Sequence, residues 1–196
     1  MPAITRESLM TLEAYARERK QFRTGVIAHK RLRTLHLGDH VTLLFEDELT
    51  MRYQVQEMLR IERIFEEAGI QEELNTYNPL IPDGSNWKAT LLIEYEDLIE
   101  RARMLGRLMN VEGRIWMQVA GHARVFPIAD EDLERQNDTK TSTVHFLRYE
   151  LTPEMIAALR AGAVLSAGVD HPAYHTELAA VPAALRESLL ADLTGF

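Results

Sequence analysis

The sequence predicts an α+β fold: a mostly antiparallel sheet built from hairpins, with packed helices that include one long helix at about 48–68. Three observations lead there. Runs rich in Leu, Thr and Val are joined by short Gly-containing turns, as hairpins are. The stretches between them show helical rather than alternating periodicity. The regular strand–helix alternation of a parallel sheet is missing. No internal repeat, low-complexity tract or linker divides the chain, so a single domain over 1–196 is expected.

The elements follow in order. Residues 4–23 read as a first helix, capped by Thr5, with Leu9, Leu12 and Tyr15 on its apolar stripe and Gly25 ending it. Residues 32–46, "LRTLHLGDHVTLLFE", form a hairpin about Gly38-Asp39, with His36 opposite Val41 and Leu37 opposite His40. The long helix follows, with Gly69 near its end. "NPLIPDGSNW" is a loop, marked by two prolines and Asp83-Gly84. Residues 88–95 are a strand and 96–110 a helix, and 113–128 form a second hairpin about Ala120-Gly121. Residues 130–140 are a charged connection and 141–151 a strand. Thr152 and Pro153 open another helix. Residues 163–170 are the last strand and 181–193 the closing helix, for about seven strands and about five helices in all.

Composition narrows the function only a little. Hydrophobic residues make up 46% and charged residues 27%, ordinary values for a globular chain. The net charge of −8 disfavours nucleic acid, whose binding rests on basic patches. The basic run 17–33 is interleaved with helix and strand positions and reads as a solvated face. There is no cysteine, hence no disulfide, no thiolate nucleophile and no iron–sulfur cluster held by this chain. No apolar run is long enough to span a bilayer and the N-terminus lacks signal-peptide order, so a soluble, cytoplasmic protein is expected. Phosphate loops, dinucleotide fingerprints, nucleophile elbows and His-Glu-x-x-His are all missing.

Candidate site residues come from polar groups at apolar positions. On the long helix, Val55, Met58, Leu59, Ile61 and Phe65 share a face and Glu62 falls inside it, while Arg52, Gln56, Arg60, Arg63 and Glu67 form a solvated face. A core-facing carboxylate is costly unless paired, hydrogen-bonded or bound to metal. His36, with Leu32, Val41, Leu43 and Phe45, and His145, with Leu147, Tyr149 and Leu151, lie on apolar strand faces. The plain reading of each is a hydrogen-bonded core histidine and a surface-gap glutamate. The sharper one is a site of His36, Glu62 and His145 suited to Fe, Mn or Zn. His40 falls on the opposite strand face from His36, so no joint role is expected. "VDHPAYHTEL" offers Asp170, His171 and His175 as a weaker metal set. Pro172 pushes His171 out of helical geometry, which favours a strand-end turn. The loop before the third strand adds Asn86, Trp87 and Lys88 as ligand-binding candidates.

Long stretches of the chain are familiar. "LTMRYQVQEMLRIERIFEEAGIQEELNTYNPLIPDGSNWKATLLIEYED" and "KTSTVHFLRYELTPEMIAALRAGAVLSAGVDHPAY" resemble the bacterial domain-of-unknown-function family 3501. "ITRESLMTLEAYARERKQFR" and "HVTLLFEDELT" extend the resemblance over nearly the whole chain. It implies no catalytic residues. It does imply a setting beside rubrerythrin-like proteins and iron–sulfur oxidoreductases. The leading expectation is therefore an accessory or interaction protein of a bacterial redox or oxidative-stress module. The alternative is a small-molecule or metal-binding protein, enzyme or not, with a Glu/His-lined pocket.

Overall fold

The computed structural model describes residues 3–131, 135 and 139–195 of the chain. Among them are helices α1 (Leu12–Leu32), α2 (Glu48–Glu62), α3 (Glu67–Tyr77), α4 (Leu98–Arg107), α5 (Pro153–Arg160) and α6 (Ala183–Asp192). The strands are β1 (Thr34–Leu37), β2 (Val41–Glu46), β3 (Asn86–Ile93), β4 (Ile115–Val119), β5 (Ile128–Ala129), β6 (Val144–Glu150), β7 (Leu165–His171) and β8 (Tyr174–Leu178). They form two antiparallel sheets, ordered β1-β2-β3-β6-β5 and β4-β7-β8. The α+β class and the antiparallel pairing stand as the sequence predicts. Most of the charged connection 130–140 lies outside the described residues. Among the described residues no helix is long and apolar enough to cross a membrane.

The long helix at about 48–68 is corrected: it is two helices. Arg63 takes a left-handed conformation (φ 56°) and closes α2, and α3 starts after Glu66. The break lets both helices turn an apolar side to one small core of Ile4, Leu9, Val55, Leu59, Ile70 and Leu74. Burying each such side chain is worth about 1.5–3 kcal/mol, more than the hydrogen bonds an unbroken helix would add. Gly69 lies inside α3, where a Cβ would come within 2.7 Å of the Ile64 side chain. The first helix is also corrected. Thr5 caps only a short 3-10 turn, and α1, capped by Thr11, runs from Leu12 through Gly25 to Leu32. Glycine inside a helix costs about 1 kcal/mol, which a 21-residue helix tolerates.

The β1–β2 hairpin forms, but one residue out of the predicted register. Residues 38–40 make the loop, Leu37 pairs with Val41, and His36 pairs with Thr42. Gly38 (φ 72°) turns the chain where any side chain would strike Tyr174, whose hydroxyl donates to Leu37 O (2.7 Å) and accepts from His40 N (3.1 Å). The second predicted hairpin is only partly formed. Met117 bridges Val125, but β4 takes β7 as its partner and β5 joins the other sheet beside β6. Residues 174–178 form a further strand that the sequence reading left out.

The main core lies on the inner face of the five-stranded sheet. Leu35, Leu43, Phe45, Trp87, Leu91 and Tyr149 meet residues of β4, β7, α4, α5 and α6 there. The outer face carries Thr42, Glu46, Lys88, Thr90 and Arg148, in alternation with the inner set.

Arg33, 1% exposed, ties these layers together. Its Nε donates to Phe45 O (3.0 Å) and Nη2 to Glu46 O (3.1 Å), at the end of β2. Both Nη atoms donate to Asp192 on α6, at 3.2 and 2.5 Å. Asp47, 3.4 Å from Arg33 Nε, receives His29 Nε2 at 2.5 Å and accepts from Thr50 N (2.9 Å) as the cap of α2. Burial pushes the Asp192 carboxyl up to about 6, with Arg33 pulling the other way. Arg33→Met strands the buried Asp192 carboxylate and takes one cation from Asp47. It is expected to lower stability by about 3–5 kcal/mol in urea unfolding. A loss below about 1 kcal/mol would show that the network is dispensable.

Candidate functional site

The residues the sequence singled out do not converge. Glu62 sits exposed at the C-terminal end of α2, not on an apolar face. The buried polar residues of that helix are Thr50, in its first turn, and Gln56, whose Oε1 accepts from Met10 N at 2.6 Å. Ile61 and Phe65 are exposed instead. His36 is exposed on the outer face, because the register shift moves it one residue and therefore one face. Its Nδ1 lies 3.0 Å from Thr42 Oγ1, which donates to Glu94 Oε2 (2.6 Å). His40, stacked on Tyr95 with ring centroids 3.9 Å apart, lines the same cavity of about 670 Å3. The two histidines thus share a surface that the predicted register denied them.

His145 faces the core, as its strand position predicts, and is fully buried. Nδ1 lies 2.5 Å from Asp130 Oδ2 and Nε2 lies 2.9 Å from Thr141 Oγ1. Both ring nitrogens are taken, so His145 is a hydrogen-bonded core histidine that holds β6 to the start of the charged connection. Neither His36 nor Glu62 is among its partners. The second metal set also comes apart. Asp170 and His175 are cross-strand partners at 3.6 Å on the solvent side of the β7–β8 hairpin. His171 points to the other side, with Nε2 on Met109 O (3.0 Å) and Nδ1 accepting from Ala173 N (3.1 Å). Among the described residues no three His, Asp or Glu side chains are arranged to hold a metal ion.

Of the residues near the loop, two are structural. Asn86 is buried and bonds Asp83 and Glu150. Trp87 lies in β3, buried against Phe45, and donates to Leu189 O at 2.9 Å. Lys88 is different. It lies on the outer face, in a cleft of about 730 Å3 between the end of α3 and the β2–β3–β6 strands. Tyr77, Leu80 and Phe146 give this cleft apolar walls. Burial lowers the Lys88 ammonium pKa, against the pull of Asp83. Its Nζ donates to Pro79 O. Beside it, Arg148 is held in a two-point pair with Glu131 (2.7 Å each) and also donates to Glu150. That pairing holds the Glu131 carboxyl below its ordinary pKa.

A further polar group of the cleft is Glu46, 4% exposed. Oε1 accepts from Thr90 Oγ1 at 2.6 Å, whereas Oε2 is buried without a hydrogen-bond partner among the described residues. A carboxylate oxygen left this way costs about 1–3 kcal/mol or more. Large apolar walls with a few convergent polar groups are what small-molecule sites present.

Residues 3–193 match the family model described as protein of unknown function (DUF3501). The chain belongs to this family. A crystal structure of a protein of unknown function from Burkholderia pseudomallei is 54% identical to the DUF3501 chain described here. It superposes with a TM-score of 0.93, covering 98% of this chain and 100% of that one. No curated protein matches. These likenesses bring the fold and no activity.

In this DUF3501 member, sequence reasoning found Lys88 and missed Glu46. The available signal was Glu46 closing "VTLLFE" two residues after Leu44 and opposite the face of Phe45, which places a carboxylate on a half-covered sheet face. His145→Ala is expected to destabilise by about 2–4 kcal/mol, because it leaves a cavity and takes from Asp130 Oδ2 its imidazole partner. His36→Ala and Glu62→Gln are expected to stay within about 0.5 kcal/mol of the parent. Denaturant melts of the three variants check this; equal losses in all three would contradict the placement of these side chains.

Proposed function

We propose that this protein binds a small organic molecule in the cleft between α3 and the outer face of the five-stranded sheet. The observation that carries the reading is Glu46, a buried carboxylate with one oxygen unsatisfied among the described residues, in the wall of the cleft of about 730 Å3. Lys88 supports it as a desolvated cation on the neighbouring strand. A bound molecule that donates to Glu46 removes the cost of that oxygen and is stabilised by the apolar walls. The test is a thermal-shift screen of small metabolites against the wild type, Glu46→Gln and Lys88→Met. At a hundred-fold excess over Kd, at least one compound should raise Tm by about 5 °C or more in the wild type and by much less in the variants. No active compound, or equal shifts in all three proteins, would remove the reading.

An accessory role in an oxidative-stress module, which the family resemblance implies, is a second reading. The feature that favours it is the corner between α2 and α3, where Ile61 (60% exposed) and Phe65 (73%) stand in solvent. Purified rubrerythrin-like or iron–sulfur partners should bind the wild type measurably, and Phe65→Glu should weaken that binding about ten-fold. Binding that is absent, or indifferent to Phe65→Glu, would count against it.

A further inference from the structure

We propose that the ligand of the cleft is an α-amino-acid-like zwitterion with an apolar side chain, an inference that rests on the cleft being the binding site. Glu46 and Lys88 are register partners across β2 and β3. Side chains at such positions leave the same face of the sheet with their Cβ atoms about 5 Å apart. An acid and a base set so close ordinarily pair with each other. Here they do not. Lys88 turns to the carbonyl of Pro79, and among the described residues it makes no ion pair with a carboxylate. Glu46 uses one oxygen on Thr90 and leaves the other unfilled.

Among the described residues, the other charges that line the cleft are already committed. Arg148 is neutralised by Glu131 and Glu150, and Arg135 lies 3.2 Å from Asp130 with its guanidinium over the Phe146 ring. Among the described charged residues of the cleft, that leaves one carboxylate and one cation on adjacent strands of the same sheet face. Their complement is a donor cation and an anion on neighbouring atoms, which is the ammonium and carboxylate of an α-amino acid. An amine alone would leave Lys88 desolvated, and a carboxylic acid alone would meet Glu46 as a like charge. The volume exceeds what the charged ends need, and Tyr77, Leu80 and Phe146 line the rest. An aliphatic or aromatic side chain suits that space.

The test is calorimetric titration of the full chain with L-phenylalanine, L-leucine, phenethylamine, 3-phenylpropionate and phenyllactate. At least one amino acid should bind about ten-fold or more tightly than the amine, the acid and the hydroxy acid, because each hydrogen bond to a charged group contributes at least that factor. Glu46→Gln should weaken the amino acid and the amine about ten-fold and not weaken 3-phenylpropionate, whose like-charge neighbour it removes. Lys88→Met should weaken the amino acid and 3-phenylpropionate and not weaken the amine. Circular dichroism melts of the two variants establish that they are folded. The zwitterion is overturned if the acid or hydroxy acid binds as well as the amino acids, if Glu46→Gln leaves amine binding intact, or if neither amino acid binds. In each of those cases a different compound that raises Tm through Glu46 and Lys88 would leave the cleft itself as the binding site.

Discussion

Arg33 is the constraint on which the arrangement of this molecule depends. It is an ion buried where the end of α1, the end of β2 and the C-terminal turn of α6 meet. Its guanidinium is compatible with burial because both adjacent β2 carbonyls and Asp192 accept from it. Through Asp47 the same cluster caps α2, so the direction in which that helix leaves the sheet is coupled to the position of α1. Further along, Tyr15 and Arg19 of α1 converge on Glu57 of α2 and hold its carboxyl down to about 2, with Arg19 the largest cause. This fixes α2, and the end of α3, which shares its small core, builds one wall of the cleft. A single buried charge thus governs where the helices stand.

The two faces of the five-stranded sheet have different duties. The inner face holds the main core with the second sheet, and Tyr174 locks the two sheets by clamping the β1–β2 turn. The outer face is only partly covered, so side chains that alternate with the core residues stay polar and reach the cleft. Stability and binding are consequently separated by one residue of strand: Phe45 serves the first and Glu46 the second. His145 shows the contrast from the other side. It is a buried titratable group with a full set of partners, and its neighbours account for it without any ligand.

In the cleft the informative feature is incomplete satisfaction. Most buried polar groups in folded proteins have partners, and the exceptions mark strain, water or ligand. Glu46 is such an exception beside a cation that has turned elsewhere, and both stand on rigid central strands rather than on a loop. Groups held in this way cost little to organise when a molecule arrives.

The sequence by itself determined the class of the fold, the antiparallel pairing, the helix that Thr152 and Pro153 start, and the inward face of His145. These rest on local chemistry and on the two-residue period of a strand, which neighbouring residues suffice to specify. Tertiary structure decided what depends on distant partners. A three-residue loop clamped by Tyr174 moved His36 to the opposite face, since a shift of one residue reverses every side chain of a strand. A shared core with Ile4 and Ile81 broke the long helix at Arg63 and left Glu62 in solvent. The cleft needed both: Lys88 was visible in a short segment, whereas Glu46 became a site residue only when β3 and α3 closed around it. Burial of a polar atom is a property of everything packed against it, and no local stretch of sequence contains that information.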